Sequence, residues 1–445
     1  MTDGRAAADQ TSRMILLLDR LALAATLLLP AFLLYGRALA EVMIGLVDAC
    51  FLASLLLGAR RLVLRPWLVL GLAWWGWEIL CSLPWSGAGP GALAQALAIG
   101  RFILFVAALE QSVLAGPAAR RALQWVVSAA ALFIAGAAWE QALTGRNFLG
   151  APRWPDGALT GPFVKPRAGA PFVRLLFPAM LPVSAWLLDR PGRAARAGGV
   201  ALALFGVITV VLIGQRMPAL LAGLGLLVGA VLLPRLRRVA LGALVAAALV
   251  LAATPVLSPP TFAKLVERFT QQMSHFAASS YGQLYTRAAV MVLAHPLHGL
   301  GFDGFRDFCT DPAYFHGLPG LGLADATAGG AEICNLHPHN YYLQAATDGG
   351  LPGLVLFTAL AVAWLVPLAR HLAPHLAPHL APHLAPHRED AARRVGLLLA
   401  ALVHLWPIAS TSGLVNLPLE GWFFLLLGWG LAEAAALAPP RPHPA

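Results

Sequence analysis

Charged residues are scarce in this chain: 12% of its 445 residues are Asp, Glu, Lys or Arg, against roughly 25% in soluble domains. That excludes an ordinary soluble globule. Lysine is almost missing, and of 31 basic residues only Lys165 and Lys264 are lysine. The cysteines Cys50, Cys81, Cys309 and Cys334 form no C-x-x-C pair, so no zinc ribbon or dithiol redox motif is present. There is no Walker loop and no G-x-G-x-x-G following a strand, hence no nucleotide-binding signature. Segments of alternating polarity are absent too, which excludes an outer-membrane barrel.

What fills the chain instead is apolar: 59% hydrophobic residues and a mean hydropathy of +0.71. A helix crosses the hydrocarbon with roughly 20 apolar residues, and about twelve such runs begin near Met14, Ala38, Pro66, Gly91, Ala122, Pro171, Ala197, Pro218, Val239, Gly350, Val395 and Leu417. The expected fold is therefore an all-α polytopic membrane protein with about 12 transmembrane helices. The first run ends in no convincing cleavage site and reads as an uncleaved span. The seventh and eighth runs meet at Gln215-Arg216-Met217-Pro218, where proline suits the first turn of a new helix.

The net charge of +10 reflects arginines in alternate loops and indicates no nucleic acid. Arg60, Arg61 and Arg65; Arg120 and Arg121; Arg190, Arg193 and Arg196; Arg235, Arg237 and Arg238; and Arg370, Arg388, Arg393 and Arg394 fall on one side. The positive-inside rule makes that side cytoplasmic and puts both termini there. The chain then divides into spans over 1–257 with a shorter outer loop at 145–170, a large outer loop over 258–349, and the last spans over 350–445. An HLAP repeat at 371–387 sits in a cytoplasmic loop, where a proline every four residues forbids a helix and a histidine stripe. Cys309 and Cys334 share the large outer loop; an oxidising compartment favours a bridge, but spacing alone leaves bridge and free thiols open.

Ionisable side chains within the runs, Glu41, Asp48, Glu78, Arg101, Glu110, Glu140 and Arg174, are expensive in lipid and mark pairs or sites. Arg101 has Glu78 or Glu140 as candidate partners. Lys165, Arg167 and Arg174 gather cations at one outer surface, and Arg216 lies at the same level in a tight turn the positive-inside rule disfavours. An anion there, such as a phosphate, would repay them through charge-assisted contacts. Ahead of the tenth run stands His337-Pro338-His339-Asn340-Tyr341-Tyr342, and upstream His295 and His298. H-x-H suits a zinc pair only if extended; Pro338 and Asn340 point to turn chemistry, and no metal or other cofactor is expected. An imidazole at an outer membrane surface is instead suited to taking a hydroxyl proton near neutral pH.

These residues resemble a known family. His339-Asn340, nine residues, then Gly350-x-x-Gly353 is similar to the signature of the bacterial O-antigen ligase and polymerase superfamily. Gln215-Arg216 resembles its essential arginine turn, and Tyr285-Thr286-Arg287 leading to Pro296-Leu-His-Gly-Leu-Gly301 resembles a second conserved region, with Thr286 where Ser is usual. The resemblance implies a membrane glycosyltransferase of GT-C type. It would move O-antigen polysaccharide from undecaprenyl diphosphate to a sugar hydroxyl of lipid A–core, at the periplasmic face of the bacterial inner membrane. It implies His339, or the close second His337, as the general base, with Arg216 and Arg287 holding the diphosphate; Lys165, Arg167 and Arg174 are added as supporting cations. Direct attack opposite the leaving diphosphate would invert the anomeric centre. Siblings with the same donor are an O-antigen polymerase and a protein O-oligosaccharyltransferase. A flippase for lipid-linked sugars is the alternative of another class, disfavoured because polar groups gather at the outer surface and no internal repeat is visible.

Overall fold

In the computed structural model the described residues are 2–234, 236–321, 323, 330–370, 372, 388–409, 413–417 and 419–437. The HLAP repeat lies outside them apart from Leu372. No β-strand occurs among the described residues. The long helices are α1 (Thr2–Tyr35), α2 (Arg37–Leu56), α3 (Pro66–Cys81), α4 (Ala92–Ala108), α5 (Pro117–Thr144), α6 (Gly169–Asp189), α7 (Arg193–Ile213), α8 (Arg216–Leu232) and α9 (Arg237–Leu257). Short helices α10 (Pro259–Phe262), α11 (Arg268–Ser274), α12 (Ser280–Ala294) and α13 (Gly304–Phe308) follow, then α14 (Tyr341–Arg370), α15 (Arg388–His404) and α16 (Leu419–Ala435). Every apolar run is helical. Among the described residues eight helices are long and apolar enough to cross a membrane, as expected of a polytopic membrane protein; α3, α8, α15 and α16 have 16 or 17 residues.

Local sequence sets the helix ends. Pro66 and Pro117 open α3 and α5, where a missing N–H costs nothing. Gly145 and Gly214 close α5 and α7 in the left-handed conformation. Gly214 therefore separates α7 from α8, and the tight turn leaves Gln215 and Arg216 at the start of α8.

The bundle core is built on α6 and its neighbour α15. Gly396 of α15 sits so near α6 that a Cβ there would stand 2.7 Å from the Phe177 carbonyl oxygen; such small residues let helices approach closely in lipid. Pro178 and Pro182 interrupt the α6 ladder. The Pro178 carbonyl, which Pro182 cannot serve, accepts from Gln124 Nε2 at 2.8 Å, and the Ala179 carbonyl accepts from Ser128 Oγ at 3.0 Å. Paired charges tie the helices: Arg65 to Glu110 at 3.3 Å, and both Arg120 and Arg393 to Glu433, at 3.2 and 2.7 Å. Arg101 corrects an expectation, because its partner is Glu41 of α2 at 2.9 Å, not Glu78 or Glu140. Packing of α2 against α4 brings those two together.

The tenth apolar run also differs from expectation. Its helix starts at Tyr341 rather than at Gly350, and bends at Gly350 (φ 67°, ψ −164°). Asn340 caps it, its Oδ1 accepting from Tyr342 N and Leu343 N, both at 3.0 Å. The first stretch of α14 thus packs as part of the loop region and the rest runs on into the bundle.

Candidate functional site

One end of the bundle gathers the loops 145–168 and 258–340 around the α7–α8 turn. The Leu159 N–H donates to the Ile213 carbonyl at 2.9 Å, and Gln215 Nε2 donates to the Pro166 carbonyl at 2.6 Å. The exposed Lys165 and Arg167 flank Pro166 and so stand beside the turn. Arg216 donates from Nη1 to Gln272 Oε1 of α11 and lies within electrostatic reach of Tyr281, Arg268 and Asp156. As the first residue of α8, uncapped by any side chain, it also stands at the positive end of that helix's dipole.

Across the turn, a π-helical turn at Ala263–Glu267 leads into α11 and carries Lys264. Lys264 is ion-paired with Asp156 of the shorter loop. Burial lowers the Lys264 ammonium, and Asp156 opposes that shift. Burial would raise the Asp156 carboxyl, but the Lys264 hydrogen bond and nearby cations carry it below its usual value. Tyr281, at the start of α12, links this cluster to the histidines: its ring lies 5.7 Å from that of His339.

His339 adopts φ 56°, a left-handed backbone uncommon outside glycine, just before the Asn340 cap. Its Nε2 is 2.9 Å from Asn335 Nδ2, and its ring stands edge-on to His337 at 4.4 Å. The His339 backbone N–H donates to His337 Nδ1 at 3.3 Å, which puts the His337 proton on Nε2. Burial, then the neighbouring His339, pushes the His337 imidazole down to about 4, so it is neutral across the physiological range. Tyr285 interacts with Asn340, and burial raises its phenol.

The second glycine-rich region serves this assembly from below. The bend at Gly350 frees backbone groups of α14, and the 296–301 loop takes them up. Leu351 N–H donates to the Pro296 carbonyl at 2.8 Å, while Leu300 N–H donates to Thr347 at 2.8 Å and Gly301 N–H to Asp348 at 2.9 Å. The Asp348 carbonyl is open because Pro352, four residues on, has no N–H. A Cβ at Gly350 would stand 2.7 Å from the Pro296 carbonyl oxygen, and one at Gly299 2.5 Å from the Asp348 oxygen. Glycine is needed in both motifs because each is the other's packing partner.

Of the residues singled out from sequence, the fold brings Arg216, His339 and His337 into one cluster with Lys165 and Arg167 at its edge. Two do not join it as expected. Arg174 is buried, donating from Nε to His404 Nδ1 at 2.6 Å in a network that continues from His404 to Glu420 at 2.9 Å and from Glu420 to the Tyr341 hydroxyl at 2.6 Å. It therefore belongs to the scaffold under the α14 start, not to the surface cations. Arg287 is fully buried. It donates to the carbonyls of Cys309 at 2.5 Å and Gly330 at 3.1 Å, with its guanidinium 4.1 Å from the Phe315 ring centre. Beside it Cys309 and Cys334 are joined by a disulfide. That placement lets it organise the large loop. His295 is likewise engaged elsewhere, 2.9 Å from the Tyr314 hydroxyl. Among the described residues no three His, Cys, Asp or Glu side chains are grouped to hold a metal ion.

Asp156, Lys264, Arg268, Gln272 and Tyr281 were missed. Lys264 carried a signal only as one of the two lysines in the chain; Asp156 carried none, because its partner lies 108 residues away.

Residues 201–358 match the family model for O-antigen ligase. No curated protein matches the chain. The matched stretch runs from α7 into α14 and contains Arg216, Lys264, Arg268, Tyr281, both cluster histidines and both glycine motifs. Over that stretch the chain is similar to the O-antigen ligase family.

Proposed function

We propose that this protein is an O-antigen ligase of lipopolysaccharide biosynthesis, transferring polysaccharide from undecaprenyl diphosphate to a sugar hydroxyl of lipid A–core. The observation that carries the proposal is the convergence of Arg216 and His339 about Tyr281, from segments far apart in sequence, inside the matched family region. A cation for a diphosphate and an imidazole for a hydroxyl proton are what the transfer requires. The diphosphate leaves readily once its growing charge is held, which Arg216 does. The acceptor hydroxyl is a poor nucleophile, so its proton must go as it attacks. His339 takes that proton in this scheme; His337 holds the His339 backbone. Lys165 and Arg167 add positive potential at the entrance, and attack opposite the leaving group inverts the anomeric carbon.

In the same proposal α3, α8, α15 and α16 also cross the bilayer, giving twelve spans in a GT-C-type layout with both termini cytoplasmic. The cluster then faces the periplasm from the inner membrane, and the apolar helices beneath accommodate the polyprenyl tail.

The test is complementation of a Gram-negative strain lacking its ligase, scored by the lipopolysaccharide ladder. Wild type restores long chains, His339→Ala does not while still binding undecaprenyl diphosphate, and Arg216→Ala loses both. Normal ladders from either variant would remove the assigned role. Restoration of chain length only in a polymerase-null strain with single-repeat core would make the protein a polymerase.

A further inference from the structure

Arg216, Lys264 and Arg268 are like charges that the surrounding acids do not balance. Lys264 and Arg268 stand one turn apart on the helical segment after α10, and each of the three lies within electrostatic reach of the other two. One carboxylate, Asp156, interacts with all of them and is ion-paired to Lys264. Arg216 otherwise donates to the neutral Gln272. Among the described residues Arg268 has no hydrogen-bond or ion-pair partner. Three cations against one anion leave two positive charges over. The Lys264 side chain is only 14% exposed, so water screens that excess incompletely. A built cluster of this kind calls for an anion.

We propose that Lys264 and Arg268 complete, with Arg216, a cradle for a diphosphate group, and that Asp156 is its internal counterion, giving up Lys264 when the diphosphate arrives. This deepens the donor assignment above and rests on it. A diphosphate esterified at both ends carries one negative charge on each phosphate, matching the excess. After transfer the leaving diphosphate is more highly charged than the donor was. A lysine freed from Asp156 therefore favours the leaving form over the bound donor, the direction catalysis needs.

The experiment measures binding of undecaprenyl diphosphate, and of inorganic pyrophosphate as competitor, to the full-length protein in nanodiscs. Lys264→Gln and Arg268→Gln each weaken binding about tenfold, the worth of one charge-assisted hydrogen bond. Asp156→Asn tightens it several-fold. Opposite signs for Lys264→Gln and Asp156→Asn are the diagnostic, because a purely structural ion pair is broken equally by either. The same direction in both, or no change in Arg268→Gln, overturns the cradle. The exposed, unpaired Arg268 keeps the test open should the pair variants fold poorly. Phosphatidylglycerol nanodiscs, compared with phosphatidylcholine, separate the sources of phosphate. If the anionic headgroup competes as well as undecaprenyl diphosphate does, the cluster is a lipid anchor and the proposal falls. A wild type that binds no undecaprenyl diphosphate sinks the donor assignment and the cradle together; a wild type that binds it, with variants indifferent, sinks the cradle alone.

Discussion

His337 is the residue whose surroundings leave the clearest mark on behaviour. The folded protein protonates it only near pH 4, the unfolded chain near the ordinary 6.5. The unfolded state therefore binds more protons between those values, so the stability His337 contributes is full above about pH 6.5 and is lost as pH falls toward 4. His337→Gln should flatten the fall of the unfolding midpoint across that window, measured by thermal unfolding in detergent; an unchanged slope would place the acid sensitivity elsewhere. At this scale the sequence was half legible. Arg216 stood out as an arginine in a tight turn between two very apolar runs, and His339 as part of a polar cluster immediately before another. The partners of Arg174 could not, since His404 lies 230 residues on and only helix packing brings it near.

Among elements, the bend in α14 and the 296–301 loop form one unit. Gly350 lies in a region of backbone space essentially reserved for glycine, and a methyl group there would also strike the Pro296 carbonyl. Gly350→Ala should destabilise the protein by about 1–3 kcal/mol, read as a lowered unfolding midpoint. Gly353→Ala adds a contact 2.8 Å from the Ala345 carbonyl oxygen and should act in the same direction. The apolar runs were visible in sequence because lipid demands long uninterrupted hydrophobicity. The first stretch of α14 was not, since Gly349, Gly350 and Pro352 read locally as a stop. Its backbone is satisfied by a distant loop instead.

Over the whole molecule, charge pairs and the disulfide hold the two ends of the bundle differently. At the arginine-rich end Glu433 serves both Arg120 and Arg393 and is itself buried. Removing one partner of such a pair strands the others, at about 3–5 kcal/mol, so Glu433→Ala should lower the unfolding midpoint more than any exposed substitution. At the loop end the Cys309–Cys334 bridge closes a separation of 25 residues. Its loss through Cys309→Ser and Cys334→Ser together should cost about 3 kcal/mol, read as a lowered unfolding midpoint; an unchanged midpoint would refute that.

The interlock of Pro296–Gly301 with the bent helix also governs how such proteins can be recombined. A large loop that merely hung between two spans could be exchanged between relatives as a cassette cut at the membrane border. Here three main-chain hydrogen bonds join the 296–301 loop to α14, so a transplanted loop would arrive without the surface it is moulded to. Chimaeras joined before Tyr341 should misfold or lose activity, whereas those joined beyond Gly353 carry both halves of the interlock and should keep it.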